Sequence, residues 1–154
     1  MKILFVCEGN VMRSPMAAAF YNDMTGTSDA FSAGAAPFPI SGPAMPEVVA
    51  AMEENGVDLN EHTSQAVTVE MVHDADVIVA FPTPRMPAYV LNSPKTIRWE
   101  VDDPYYQPND GTDYVRKARD EIYAQITAFI TENQEAASSN SEKRNTVSSS
   151  KRES

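Results

Sequence analysis

The chain has 154 residues, of which 42% are hydrophobic, and a formal net charge of −10 at pH 7. This length and apolar fraction suit one globular domain with a core of ordinary size. The acidic balance argues against a nucleic-acid partner, because proteins that bind a phosphate backbone usually present a basic face. One cysteine and two histidines exclude a disulfide framework and a cysteine-rich zinc site, so neither a metal nor a cofactor is predicted.

The apolar segments of the chain are short. The first one, residues 3–7, ends at Glu8, whereas a secretory leader needs about 7 to 15 apolar residues and a membrane span about 18. We therefore expect a cytoplasmic protein without a membrane partner.

Strand and helix patterns alternate along residues 1–134. The strands are predicted from short apolar runs, and the helices from helical spacing and from Pro and Gly at the expected ends. In chain order, the predicted elements are a strand over 3–6, a helix from 14 to about 24, a strand over 30–33, a helix over 43–55, a short helix over 68–73, strands over 77–81 and 96–99, and a helix from 113 to about 132. This alternation is typical of an α/β fold with helices on both faces of a parallel sheet.

Residues 135–154 differ in composition from the rest of the chain. Seven of these twenty residues are serine, and the segment lacks Leu, Ile and aromatic residues. Such a segment buries too little apolar surface to offset the entropy of ordering it. We therefore predict a domain over residues 1–134 and a disordered Ser-rich tail over residues 135–154.

Residues 7–14, which we call the anion loop, connect the first predicted strand to the first predicted helix. The loop therefore lies at the carboxyl edge of the sheet, where α/β proteins bind ligands. Gly9 permits backbone conformations closed to other residues, and Asn10 tolerates the left-handed region. Inward N–H groups of such a loop and the start of the following helix bind anions. This local device would let an acidic chain hold phosphate.

Cys7 and Arg13 stand near the two ends of the anion loop. A lone cysteine is usually a small buried hydrophobe, but helix N-termini and nearby cations favour the thiolate, which is the nucleophile. A hydroxyl at Ser14 is placed to donate a hydrogen bond to that thiolate. Arg13 offers a planar fork that binds two phosphoryl oxygens at once. The loop therefore favours a chemical role for Cys7.

Residues 6–17 closely resemble the signature of the low-molecular-weight protein tyrosine phosphatases, and further likeness lies at 32–34, 56–57, 62–65, 76–79 and 103–106. The resemblance implies a flavodoxin-like three-layer fold with a four-stranded parallel sheet. It also implies hydrolysis of phosphotyrosine in protein substrates through a cysteinyl phosphate. The residues that it places around the phosphate are the nucleophile Cys7, then Glu8, Gly9, Asn10, Val11, Met12, the phosphate binder Arg13, and Ser14.

The resemblance also implies roles for residues outside the anion loop. Asp103, in the only Asp-Pro pair of the chain, would be the general acid and later the base, with Asp102 as the near alternative. Tyr105 and Tyr106 would line a slot for an aromatic ring. The supporting residues would be Ser14, which would hydrogen-bond the thiolate, and Ser32 and His62, which would join a hydrogen-bond network that holds Asn10 in its strained conformation.

Two positions of the anion loop depart from the family pattern. Glu8 follows the nucleophile where an apolar or small residue is usual, so we expect it to repel acidic substrates. Met12 replaces the second cysteine of many members, so no disulfide can form within the loop.

Two alternatives remain. The first is an arsenate reductase that uses an external low-molecular-weight thiol, since residues 99–104 and 116–122 resemble the C-terminal half of such enzymes. The thioredoxin-coupled kind needs two further cysteines, which this sequence lacks. Pro15 and the Tyr105-Tyr106 pair favour the phosphatase. The second alternative, a non-enzymatic anion-binding or flavin-binding module, would not need Cys7, Arg13 and an acid at these positions.

Overall fold

The computed structural model describes residues 1–37, 40–101 and 112–153, with residues 112 and 135–153 described as backbone only. Strands and helices alternate along these ranges. They are β1 (Ile3–Cys7), α1 (Arg13–Thr25), β2 (Ala30–Gly34), α2 (Pro46–Glu53), α3 (Val69–Asp74), β3 (Val77–Ala80), α4 (Ala88–Leu91), β4 (Thr96–Arg98) and α5 (Thr112–Glu153).

The four strands form one parallel sheet in the order β2-β1-β3-β4. This confirms the predicted α/β fold with a four-stranded parallel sheet. The chain runs from β1 out to β2 and then crosses back to β3, so the strand order reverses beside β1. The point of reversal lies beyond the carboxyl ends of β1 and β3, which is the usual place for a ligand in such sheets.

Helices cover both faces of the sheet, and the central strand β1 supplies side chains to both cores. Ile3, Phe5 and Cys7 pack in one cluster with α1, α2 and α5, whereas Leu4 and Val6 pack in the other with α3 and α4. All five side chains are almost fully buried. Because both faces of β1 are covered, its sequence is a continuous apolar run rather than an alternating one.

The second helix begins three residues later than predicted. A helix starting at residue 43 would place Pro46 where a backbone N–H must bond to the preceding turn, and proline has none. α2 instead begins at Pro46, the first helical position, where no such bond is needed. Beyond its end, Gly56 has φ 75°, a left-handed conformation that suits the predicted stop signal.

The short helix α4 was not predicted from the sequence. It follows Pro87, which acts as its N-cap residue, and its four residues are too few to show a helical period.

The last helix is longer than predicted. α5 runs to Glu153, beyond its predicted end near Glu132. Residues 112–154 contain neither Gly nor Pro, so nothing in the stretch interrupts a helical backbone. The division into a domain over 1–134 and a tail over 135–154 stays a prediction. Neither α5 nor any other helix in the described ranges is both long and apolar enough to cross a bilayer.

Candidate active site

The anion loop begins on the last residue of β1 and ends in the first turn of α1. Cys7 closes the strand and Arg13 opens the helix, and both side chains are buried. The N-cap residue Met12 makes no side-chain capping bond. The N–H groups that begin α1 therefore receive no acceptor from the N-cap side chain, which suits an anion at this end of the helix.

Two hydrogen-bond donors converge on the sulfur of Cys7. The hydroxyl of Ser14 lies 3.0 Å from Sγ, and the backbone N–H of Asn10 donates to Sγ over 3.3 Å. The Ser14 oxygen also accepts from Asn10 Nδ2 at 2.9 Å. Its own hydrogen has two acceptors within reach, Sγ and the carbonyl oxygen of Ala33 at 3.4 Å, and we assign it to Sγ, which is the shorter contact. Both donors require an acceptor, and the thiolate, the form of cysteine that attacks phosphorus, is one.

Asn10 is fully buried and has φ 56°, in the left-handed region. Both polar atoms of its side chain have hydrogen-bond partners. Nδ2 donates to the hydroxyls of Ser14 and Ser32, each at 2.9 Å, and Oδ1 accepts from the N–H of Gln65 at 2.9 Å. Its carbonyl oxygen accepts from His62 Nε2 at 2.7 Å. These bonds hold an unfavourable backbone conformation, which persists only where the surroundings determine it fully.

The carbonyl groups of the anion loop bond to partners outside the loop. Cys7 O accepts from Ala35 N, Glu8 O from Ala36 N, Asn10 O from His62 Nε2 and Val11 O from Met45 N, over 2.8, 2.8, 2.7 and 3.3 Å. A peptide group points its N–H away from its carbonyl oxygen. Carbonyls tied outward therefore leave the interior of the loop to N–H donors, which is what an anion site needs.

The residue that the backbone of the loop packs against is Gly34, at the end of β2. A Cβ built there would lie 2.9 Å from Glu8 O, 3.0 Å from Asn10 Cβ and 3.1 Å from Asn10 N. Only a residue without a side chain allows so close an approach. Gly9, by contrast, does not have a positive φ, and a Cβ there would meet only Val11 Cγ2 at 3.5 Å. The left-handed residue of the loop is thus Asn10, and Gly9 does not use the freedom that the sequence suggested.

The side chain of Arg13 is held by contacts with residues outside the anion loop. Its Nη1 donates to the carbonyl oxygen of Val101 over 3.0 Å, and its guanidinium carbon lies 5.8 Å from the centroid of the Phe81 ring. These contacts fix a side chain that is 4% exposed. The planar fork is therefore oriented before any ligand arrives, which lowers the cost of binding one.

The ring of His62 is half-buried behind the anion loop. Because a carbonyl oxygen only accepts, the bond to Asn10 O places the hydrogen on Nε2. Burial lowers the pKa of His62 below its usual value, and the bond to Asn10, which favours the charged ring, offsets part of that effect. The neutral ring is therefore the form that the fold prefers.

The carboxylate of Glu8 points to the segment after β3. Its Oε1 accepts from Thr83 Oγ1 over 3.1 Å and lies 3.8 Å from Arg85 Nε. We expected Glu8 to repel acidic substrates because the sequence shows no partner for its charge. In the structure, the cation Arg85 lies next to it.

In the structure, the predicted residues of the anion loop lie together with Ser32 and His62. Other predicted site residues are not among the described ones. Asp102, Asp103, Tyr105 and Tyr106 lie outside the described residues, so their roles stay predictions. In the described ranges, no three His, Cys, Asp or Glu side chains form a group that would hold a metal ion.

Four contacts of the site were not predicted from the sequence. They involve the N–H of Gln65, the close approach of Gly34, the carbonyl of Val101 and the side chain of Thr83. Gln65 and Gly34 lie in segments that resemble the family, and that was their only signal. The carbonyl of Val101 is a backbone group that every residue has, and the bond between Thr83 and Glu8 depends on tertiary packing, so neither contact could be recognised from residue types.

The profile of the low molecular weight phosphotyrosine protein phosphatases matches residues 2–139. An arsenate reductase of Halalkalibacterium halodurans is 33% identical over 136 residues, which cover 82% of this chain and 93% of that protein. The probable low molecular weight protein-tyrosine-phosphatase EpsP of Ralstonia solanacearum is 33% identical over 114 residues, which cover 67% and 77%. The two relatives have the same percentage of identical residues, and the match to the arsenate reductase extends over more of the chain.

Solved structures give the same picture of the fold. Wzb of Vibrio vulnificus, solved in complex with benzylphosphonate, superposes with a TM-score of 0.75 at 26% identity over 85% of this chain and 97% of that one. The YwlE arginine phosphatase of Geobacillus stearothermophilus also gives 0.75 at 26% identity, over 88% and 94%. Together with the profile match over nearly the whole chain, these likenesses show that the chain belongs to the low molecular weight phosphotyrosine protein phosphatase family.

Proposed function

We propose that the chain hydrolyses phosphotyrosine in proteins, and aryl phosphates generally, through a phosphate ester of Cys7. In the first step, Sγ attacks phosphorus, the bond to the tyrosyl oxygen breaks, and Asp103 protonates the leaving oxygen. In the second step, water attacks the phosphorus, Asp103 takes its proton, and the P–S bond breaks to release phosphate and the thiolate.

The observation that carries this proposal is the convergence of donors on Cys7 inside a loop whose carbonyls are tied outward. A thiolate that attacks phosphorus needs a surrounding of N–H groups, because negative charge develops on the phosphoryl oxygens. Arg13, already held by Val101, adds the fork that binds two of these oxygens. Val101 stands two residues before Asp103 in the sequence, which supports the assignment of the acid to this side of the site.

Arsenate reduction is the alternative, and the number of cysteines weighs against it. Reducing arsenate to arsenite takes two electrons, which enzymes of this kind draw from two thiols that end as a disulfide. The sequence contains one cysteine, so the second thiol would have to come from another molecule. Hydrolysis of a phosphate ester needs only water as the second reactant, and no further thiol.

The test is a parallel assay of four reactions on one preparation. Phosphotyrosine and p-nitrophenyl phosphate are measured for phosphate release, arsenate for reduction with several low-molecular-weight thiols, and phosphoarginine because a structural neighbour is an arginine phosphatase. We expect hydrolysis of both aryl phosphates, absent from Cys7→Ser. Arsenate reduction or phosphoarginine hydrolysis without turnover of phosphotyrosine would contradict the proposal.

The assignment of Asp103 as the acid predicts a dependence on the leaving group. Tyrosine, with a pKa of about 10, is a basic leaving group that needs its proton, whereas an activated phenol does not. Asp103→Ala should therefore slow phosphotyrosine hydrolysis about 10²- to 10⁴-fold, and slow an aryl phosphate with an acidic leaving group far less. The measurement is kcat/KM across aryl phosphates of graded leaving-group pKa.

The matched control is Asp102→Ala, which should leave the leaving-group dependence unchanged. A steepened dependence in the Asp102 variant alone would move the acid by one residue. An unchanged dependence in both would remove this segment from proton transfer.

A further inference from the structure

The carboxylate of Glu8 forms an ion pair with a cation on the segment that follows β3. Its side chain is 17% exposed, whereas that of Arg85, whose Nε lies 3.8 Å from Glu8 Oε1, is 71% exposed. Thr83 holds the same carboxylate oxygen over 3.1 Å. Arg85 is thus the outer member of the pair, and a molecule approaching from solvent meets the cation first.

The backbone that presents Arg85 is a tight turn over residues 83–86, which we call the rim turn. Met86 N donates to Thr83 O over 3.0 Å, and Pro84 takes the second position, where its fixed φ suits a turn. Phe81, which precedes the turn, and Met86, its last residue, are buried in the two cores. The turn is therefore anchored at both ends, and the position of Arg85 is set by the fold.

The ion pair leaves most of the guanidinium available. Glu8 engages Nε, and in the part of the chain that the structure describes neither terminal nitrogen of Arg85 has a hydrogen-bond partner. Two terminal nitrogens in one plane match the two oxygens of a carboxylate. Since Glu8 directly follows Cys7, the ion pair connects this fork to the anion loop.

From these contacts we propose that Arg85 is a specificity-determining residue, which recognises a carboxylate next to the phosphotyrosine of the substrate. The proposal rests on the proposed phosphatase function and names its substrate class: phosphotyrosine in acidic sequence. The net charge of −10 would otherwise repel such substrates. The guanidinium of Arg85, paired with the Glu8 carboxylate that Thr83 also bonds, supplies the local attraction.

The experiment compares three phosphotyrosine peptides that differ only in the two residues on each side, which are glutamate, glutamine or lysine. We expect kcat/KM to be about two- to fivefold higher for the glutamate peptide than for the glutamine peptide, the range of an exposed ion pair. The preference should lie in KM rather than kcat, because the contact is made equally in the ground and transition states. It should shrink as salt is added.

Two variants separate a local from a global effect of charge. Arg85→Gln should bring the ratio between the two peptides to about one. Lys117→Gln removes the same charge from the exposed face of α5 and should keep the preference.

Three outcomes would overturn the inference: equal rates on all peptides, faster turnover of the lysine peptide, or a preference that survives in Arg85→Gln. Binding of the same peptides to Cys7→Ser, measured by calorimetry, reads the preference without turnover. If neither the peptides nor p-nitrophenyl phosphate are hydrolysed, the proposed function fails and this inference with it. If they are hydrolysed without a preference, only this inference fails.

Discussion

The anion loop and the rim turn meet at the same edge of the sheet but are held in different ways. Asn10 in the loop is fully buried, and every polar atom of its side chain has a partner. Arg85 on the rim turn is exposed and held by one loose ion pair. A buried polar group that loses its partner costs about 1–3 kcal/mol, whereas an exposed ion pair contributes about 0–1 kcal/mol. Changes in the loop should therefore abolish function, and changes at the rim should only adjust it.

The largest effect after loss of the nucleophile is expected at Arg13. Arg13→Lys keeps the charge but loses the fork and the bond that its Nη1 makes with Val101, so kcat should fall by at least about a hundredfold. The measurement is steady-state kinetics on p-nitrophenyl phosphate. Arg116→Lys, on the exposed surface near Glu54, should leave kcat unchanged. A near-normal Arg13→Lys would show that a point charge is enough.

A smaller but still large effect is expected at Gly34, which tests whether the loop tolerates displacement. Gly34→Ala forces the backbone of Glu8 and Asn10 to move, so kcat should fall about tenfold to a hundredfold, with a loss of about 1–3 kcal/mol in unfolding free energy. Urea unfolding and kinetics on the same samples measure both.

The matched control for Gly34 is Gly26, the left-handed residue that ends α1. A Cβ there would meet nothing within 4 Å, so Gly26→Ala adds backbone strain of about 1–2 kcal/mol without touching the site. It should lower stability and leave kcat unchanged. Equal losses of activity in the two variants would show that instability, not crowding of the loop, is responsible.

The smallest expected effect is the contribution of His62 to the pH dependence of the unfolding free energy. Burial holds the pKa of His62 below its usual value, so between that pKa and about 6.5 the unfolded chain binds more protons than the folded one. The unfolding free energy should therefore fall as the pH drops through this window. His62→Gln, which keeps a donor for Asn10, should lose less stability than the wild type between pH 7.5 and 5.5. Parallel pH dependences in the two proteins would contradict the assigned cause.

Much of the fold was predictable because local signals and tertiary structure agree. The run over residues 3–6 has no polar residue, and it is the central strand buried on both faces. Asn10 after Gly9 suggested a left-handed turn, and Asn10 adopts it. The start of α2 was mispredicted because Pro46 was read as an interior residue rather than as the first one.

The contacts that complete the site were not predictable from residue types. Gly34 is required by atoms of Glu8 and Asn10, more than twenty residues away in the sequence. The Arg13–Val101 bond uses a backbone carbonyl, which every residue possesses. Glu8 was expected to stand unbalanced, because its pairing with Arg85 depends on how β1 and β3 lie side by side. Long-range packing, not local propensity, determines these three features.

The most direct test of the account is to look for phosphate on Cys7 during turnover. A phosphotyrosine peptide is mixed with the enzyme, the reaction is quenched in acid within milliseconds to seconds, and the digest is examined by mass spectrometry. The account predicts that the peptide containing Cys7 gains the mass of one phosphoryl group before free phosphate accumulates. Release of phosphate while Cys7 stays unmodified, or with the phosphoryl group on another residue, would contradict it.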